Sequence, residues 1–134
     1  MLGYLSRTEH FSSGHRLHSP LLSDQENAQI YGKCNHGNGH GHNYVLDVTL
    51  KGPIDETTGM IMNITDLKAI LAPVIQTLDH KNIDRDVPFF KTKPSTVENL
   101  TVYIWQELAP KLNGLLYEVQ IRETVNNYAI YKGE

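Results

Sequence analysis

Apolar and polar residues alternate along four stretches of the chain, and two further stretches repeat at helical spacing. In the segment from about His42 to Lys51, Tyr44, Leu46, Val48 and Leu50 share one parity and Val45, Asp47, Thr49 and Lys51 the other, as in a strand with one face on a core. A first strand covers about Tyr4 to Leu17, with Phe11, His15 and Leu17 in phase. A polar loop, Ser19 to Gly39, joins the two, and Asp55-Glu56-Thr57-Thr58-Gly59 reads as a turn. From Ile64, Leu67, Ile70, Leu71, Val74, Ile75 and Leu78 recur three and four apart, predicting an amphipathic helix capped by Asn63. Pro73 removes a backbone donor inside it and predicts a kink or a weakened end. A second helix opens on the capping-box pattern Ser95-Thr96-Val97-Glu98 and runs through Leu100, Ile104, Trp105 and Leu108 toward Lys111. Strands at about Leu116–Glu123 and Tyr128–Lys132 follow, around a turn at Val125-Asn126-Asn127. The order is two strands, two helices, two strands: an α+β domain.

Composition narrows the class. The 134 residues are 40% hydrophobic and 20% charged, which predicts one globular domain over residues 1–134 with chain enough for a core. No apolar run approaches the ~18 residues of a membrane span, and the first residues lack the blocks of a signal peptide, so a cytoplasmic protein with no membrane partner is expected. A net charge of -3 argues against a general nucleic-acid surface. One cysteine, Cys34, excludes an internal disulfide and fits a reducing compartment.

The chemistry concentrates in Cys34-Asn35-His36-Gly37-Asn38-Gly39-His40-Gly41-His42-Asn43-Tyr44. His40 and His42 lie two apart at the start of a strand, so both imidazoles point to one face, as two ligands of one ion would. His15 shares parity with Phe11 and Leu17, on an apolar face where an unpaired imidazole is costly and a metal would satisfy it. Three imidazoles with an open fourth position describe a catalytic zinc site, whereas a closed structural site would need further ligands, usually cysteines. Cys34 is either an inert small side chain or a reactive thiol, and its polar, glycine-rich surroundings beside Lys33 favour reactivity. Glu123 is in phase with Tyr117, Val119 and Ile121 and would need donors there, unless the strand ends or bulges first and the side chain is solvated. Asp79-His80, after Leu78, is either a polar helix terminus or a carboxylate orienting an imidazole for proton transfer.

Together, C-N-x-x-N-G-H-G-H-N-Y at 34–44, F-S-x-x-H-R-L at 11–17, G-M-x-M-N-x-x-D-L-K at 59–68, L-D-H-K-N at 78–82, S-T-x-E-N at 95–99 and E-T-x-x-N at 123–127 closely resemble the 6-pyruvoyl-tetrahydropterin synthase family over nearly the whole chain. The resemblance implies a tunnelling fold of four antiparallel strands and two helices. In it, three subunits close a barrel, two trimers stack into a homohexamer, and active sites lie between subunits. It implies Zn2+ on His15, His40 and His42, catalytic acid-base roles for Cys34, Asp79 and His80, and a pterin anchor at Glu123 helped by Thr96. The implied reaction is an internal redox tautomerisation of 7,8-dihydroneopterin triphosphate with elimination of triphosphate, in tetrahydrobiopterin biosynthesis. Arg16, His18, Lys33 and Lys81 are candidate cations for the phosphate tail. His36 adds an imidazole beside the thiol, at a position where the family has other residues. Sister enzymes of the same fold form 6-carboxy-tetrahydropterin or cleave the side chain, and the motifs here stand closer to the pyruvoyl-forming branch. A non-catalytic zinc or pterin-binding module is the reading of a different class, and the intact Cys34, Asp79 and His80 argue against it. No G-x-G-x-x-G follows a strand, so no nicotinamide or flavin is expected.

Overall fold

A computed structural model of the chain describes all 134 residues. Strands β1 (Leu2–His15) and β2 (His40–Pro53), of 14 residues each, pair antiparallel along their full length, from Leu2 opposite Pro53 to His15 opposite His40. The polar interval between them is not all loop. Helix α1 (Asp24–Tyr31) and a 3₁₀ turn (Gly32–Asn35) occupy it, and α1 buries only Asn27. Polar bonds hold α1, which is why no apolar periodicity announces it. Ser23 Oγ accepts from the Glu26 amide and Glu26 Oε1 from the Ser23 amide, at 3.1 Å each. The Asn27 side chain closes on Ser19 N–H at 2.7 Å and Ser19 C=O at 3.0 Å.

Helix α2 (Ile64–Gln76) starts at Asn63, whose Oδ1 accepts from the Thr65 amide at 2.9 Å, and runs past Pro73 before stopping at Thr77. Strand β3 (Lys81–Asn82), the short helix α3 (Ile83–Asp86), helix α4 (Val97–Leu108), β4 (Leu116–Thr124) and β5 (Asn127–Tyr131) complete the chain. The sheet therefore has five strands, in the order β3-β1-β2-β4-β5, rather than the expected four. β3 runs parallel to Ser13 and Gly14 of β1, so the sheet is antiparallel everywhere except at this edge. Two residues are too few to leave an alternation signal.

One face of the sheet carries Phe11, Tyr44, Leu46, Val48, Leu50, Val119 and Ile121, all buried. It packs on Leu67, Leu71 and Val74 of α2 and Leu100, Ile104 and Leu108 of α4. Tyr117 does not join them. β4 slips in register between Glu118, opposite Thr49, and Leu116, opposite Leu50, so Tyr117 is the extra residue of a bulge and Leu116 is buried instead. α4 also opens differently from the box pattern. Its N-cap is Thr96, whose Oγ1 accepts from the Asn99 amide at 3.2 Å, so Glu98 is not the reciprocal partner and Ser95 is freed for another contact. No helix is long and apolar enough to cross a membrane.

Candidate metal centre and active site

The register of β1 and β2 builds the centre. His15 lies opposite His40 and Ser13 opposite His42, so the inward parity of two neighbouring strands brings three imidazoles together. Ring centroids are 4.7 Å apart for His15–His40, 5.2 Å for His15–His42 and 4.9 Å for His40–His42, and one nitrogen from each lies within 4.8 Å of the others. Gly39 makes the approach possible. It has φ of 74°, and a Cβ there would stand 2.9 Å from the His15 carbonyl oxygen.

Protonation follows from the contacts. His15, 1% exposed, places Nδ1 2.8 Å from the Ser95 carbonyl oxygen, and only an Nδ1–H can serve that acceptor, leaving the lone pair on Nε2. His15 Nε2 and His42 Nε2 are both buried without a hydrogen-bond partner. The orphaned lone pair of His15 and the unpartnered Nε2 of His42 beside a third imidazole are costly alone, and one cation satisfies them, so the donor set fits a zinc ion and the Ser95 carbonyl supplies the outer support such ligands use. Burial holds the His15 imidazole below its usual pKa. It does the same for His42 against the opposing pull of Glu123. The Glu123 Oε1–His42 Nε2 distance of 3.8 Å is too long for a hydrogen bond, and with His42 neutral the pair is no ion pair either.

A pH dependence follows. Both imidazoles titrate lower in the folded chain than at the unfolded value of 6.5, so the unfolded chain binds more protons as pH falls through that value. Their contribution to stability is complete above about pH 6.5 and is lost progressively below it. Melting of the metal-free protein is expected at a lower temperature at pH 5 than at pH 7.5, and a melting temperature that rises on acidification would contradict the assignment of neutral imidazoles.

Glu123 lies at a second bulge of β4, between Arg122 and Thr124, yet its side chain is only 18% exposed and turns toward His42. The bulge and the inward carboxylate, read from the sequence as alternatives, occur together. Thr96 uses its hydroxyl to cap α4. Two residues that lie in the sequence motifs make contributions to the site that the sequence left unassigned. One is Ser95 behind His15. The other is Tyr44, whose ring stacks on Phe11 at 4.9 Å and whose buried hydroxyl has no partner, with burial pushing its pKa upward.

The remaining residues form two further groups. Cys34 is a half-buried free thiol on the 3₁₀ turn. That turn is tied to the residues just after His15: Leu17 N–H donates to the Cys34 carbonyl at 2.9 Å, Asn35 Nδ2 to the Leu17 carbonyl at 2.7 Å and Arg16 Nε to the Asn35 carbonyl at 2.7 Å. Asp79 and His80 sit elsewhere, at the β3 edge. Asp79 Oδ1 accepts from the Ser12 amide at 2.9 Å and Oδ2 contacts His80 Nδ1 at 2.8 Å, and the Ser12 amide foremost holds the Asp79 carboxyl below its usual range. His80 adopts φ of 60°, outside the range most residues use, and its ring is 84% exposed. Within one chain the dyad hydrogen-bonds to Ser12 and not to Cys34.

The chain is similar to known proteins along its whole length. The family model described as 6-pyruvoyl tetrahydropterin synthase matches residues 4–134. The 6-pyruvoyl tetrahydrobiopterin synthase of Poecilia reticulata is 54% identical over 99% of this chain and 92% of its own length, and that of Homo sapiens 54% identical over 97% and 91%. The solved structure of Caenorhabditis elegans 6-pyruvoyl tetrahydropterin synthase superposes with a TM-score of 0.98 at 46% identity, covering 100% of this chain and 97% of that one. With residues 4–134 matched by the family model and relatives more than half identical over nearly the whole chain, the chain belongs to the 6-pyruvoyl tetrahydropterin synthase family.

Proposed function

We propose that residues 1–134 form one catalytic domain that holds Zn2+ on His15, His40 and His42. It converts 7,8-dihydroneopterin triphosphate to 6-pyruvoyl-tetrahydropterin with release of triphosphate, in tetrahydrobiopterin biosynthesis in the cytoplasm. The observation that carries the reading is the pair of orphaned buried Nε2 atoms, in a chain of this family.

When bound, the ion supplies a Lewis acid that stabilises negative charge developing on side-chain oxygens of the substrate. Glu123 accepts both donors of the pterin amino-imino edge, which fixes the ring as a guanidinium is fixed in a bidentate pair. Cys34, as thiolate, takes a carbon-bound proton from the substrate side chain. Asp79 holds His80 through Nδ1, leaving Nε2 to exchange protons with the substrate. The ring gains the electrons that the side chain loses, so no external oxidant is needed, and triphosphate departs with the electrons of its C–O bond.

A dyad whose imidazole is exposed and which makes no hydrogen bond to the thiol of its own chain supports a site completed between subunits. The free edges of the sheet support the same reading: β5 ends it on one side, and β1 on the other is paired to β3 only at Ser13 and Gly14. A homohexamer built as a dimer of trimers would cover those edges and bring the dyad to the thiol of a neighbouring subunit. The test is to incubate zinc-loaded protein with 7,8-dihydroneopterin triphosphate and identify products by mass spectrometry. 6-Pyruvoyl-tetrahydropterin with free triphosphate is expected, and 6-carboxy-tetrahydropterin as main product would assign the chain to the sister reaction.

A further inference from the structure

Ser13 is the odd residue on the inner face of β1. It stands between the core ring of Phe11 and the imidazole of His15, opposite His42, yet it brings a hydroxyl to that face and is only 5% exposed. The hydroxyl does not turn to the histidines. It donates to the carbonyl of Leu78, the residue immediately before Asp79. Two further bonds run beside it: the His80 amide donates to the Ser12 carbonyl at 2.7 Å, and the Ser12 amide donates to Asp79 Oδ1 at 2.9 Å. The β3 ladder continues the seam, with Lys81 beside Ser13 and Asn82 beside Gly14. Residues 78, 79 and 80 are therefore each fastened to Ser12 or Ser13.

This fastening accounts for a backbone that would not hold by itself. His80 has φ of 60°, a conformation that a residue with a side chain keeps only where surrounding contacts over-determine it. Its own ring supplies little restraint, being 84% exposed and hydrogen-bonded to the adjacent Asp79. The restraint comes from β1. Of the three bonds, only that of Ser13 is made by a β1 side chain, so it alone can be removed without altering the backbone. The Leu78 carbonyl also accepts from the Lys81 amide at 3.2 Å, so loss of the hydroxyl does not leave that oxygen orphaned. A place two residues before His15 would equally suit a support for the metal centre. The direction of the hydroxyl decides between the two.

We propose that Ser13 is a positioning residue for proton transfer, whose buried hydroxyl holds residues 78–80 so that the Asp79–His80 pair meets the substrate at a set distance and angle. It serves the dyad and not the metal. The part the dyad plays rests on the function proposed above; the clamp that holds it does not. Because the dyad of one chain completes the site of a neighbour, Ser13 acts on a different metal centre from the one its own strand builds.

The test is Ser13→Ala in the zinc-loaded protein. A misplaced proton-transfer group slows the chemical step more than it weakens binding, so kcat is expected to fall by about tenfold or more, with KM and zinc content within about twofold of the parent. Hydrogen exchange read by mass spectrometry is expected to quicken over residues 78–82 and to stay at the parent level over residues 44–50 of β2, as a local opening does. Mixed oligomers then assign the defect. Ser13→Ala co-expressed with Cys34→Ala is expected to exceed the activity of either variant alone, since the thiol of one chain meets the intact dyad of the other. With Asp79→Asn no such gain is expected. Gain with Asp79→Asn and none with Cys34→Ala would place Ser13 with the metal centre and overturn the proposal, as would a parent-level kcat, loss of zinc or unchanged exchange over residues 78–82. Cys34→Ala mixed with Asp79→Asn is the control: no gain there overturns the site between subunits, and kcat and exchange then decide the case of Ser13. A parent that forms no pyruvoyl product overturns the proposed reaction, while exchange still decides whether Ser13 holds the dyad.

Discussion

Replacing Cys34 with alanine is expected to lower the single-turnover rate by about 10²–10⁴-fold while metal content and pterin affinity stay at the parent level. The thiol sits on a turn outside the histidine cluster, so its removal takes away a proton acceptor and no ligand. Glu123→Ala is expected to do the reverse. Its carboxylate is mostly shielded from solvent beside His42, and deleting it leaves the donors of a bound pterin unpaired, at a cost of about 1–3 kcal/mol or roughly tenfold and more in affinity. Equilibrium binding and single-turnover measurements on both variants separate the roles. A near-normal rate in Cys34→Ala would remove the thiol from proton transfer and leave His36 or His80 as the base.

The second large effect is on the metal. His15→Ala is expected to release zinc and activity together, because it deletes one of three converging nitrogens. The loss of affinity should exceed the about 10–100-fold typical of removing an outer supporting group. It also strips the Ser95 carbonyl of its partner, so some loss of folding stability is expected at this nearly fully buried site. His42→Ala, at a less buried position, gives the same metal readout with less strain on the core. Elemental analysis and thermal melting of both variants check this, and full zinc occupancy in either would contradict a three-histidine centre.

How much of this was legible in the sequence depended on whether local pattern or long-range packing set each feature. The parity of His40, His42 and Tyr44 was readable because a strand alternates strictly, and it was enough to anticipate imidazoles on the inner face. That His15 pairs directly with His40 was not, since register between strands separated by a helix and a 3₁₀ turn is fixed by the whole β1–β2 pairing. Helix α1 was missed because its stability lies in a capping box and in Asn27, not in an apolar stripe. The two bulges in β4 shifted one reading and preserved another: Tyr117 left the core face, while Glu123 kept its inward aim. β3 was invisible because two residues carry no alternation and its partners, Ser13 and Gly14, lie far away in sequence.

The proposed chemistry requires three imidazoles, and not the thiol, to hold the metal, and X-ray absorption at the zinc edge of the zinc-loaded protein tests this most directly. The expected result is one zinc per chain with about three imidazole nitrogens at roughly 2.0–2.1 Å and a remaining light-atom ligand. A sulfur scatterer at about 2.3 Å would make Cys34 a ligand rather than a base, and the failure of His15→Ala to alter the spectrum would contradict the centre itself.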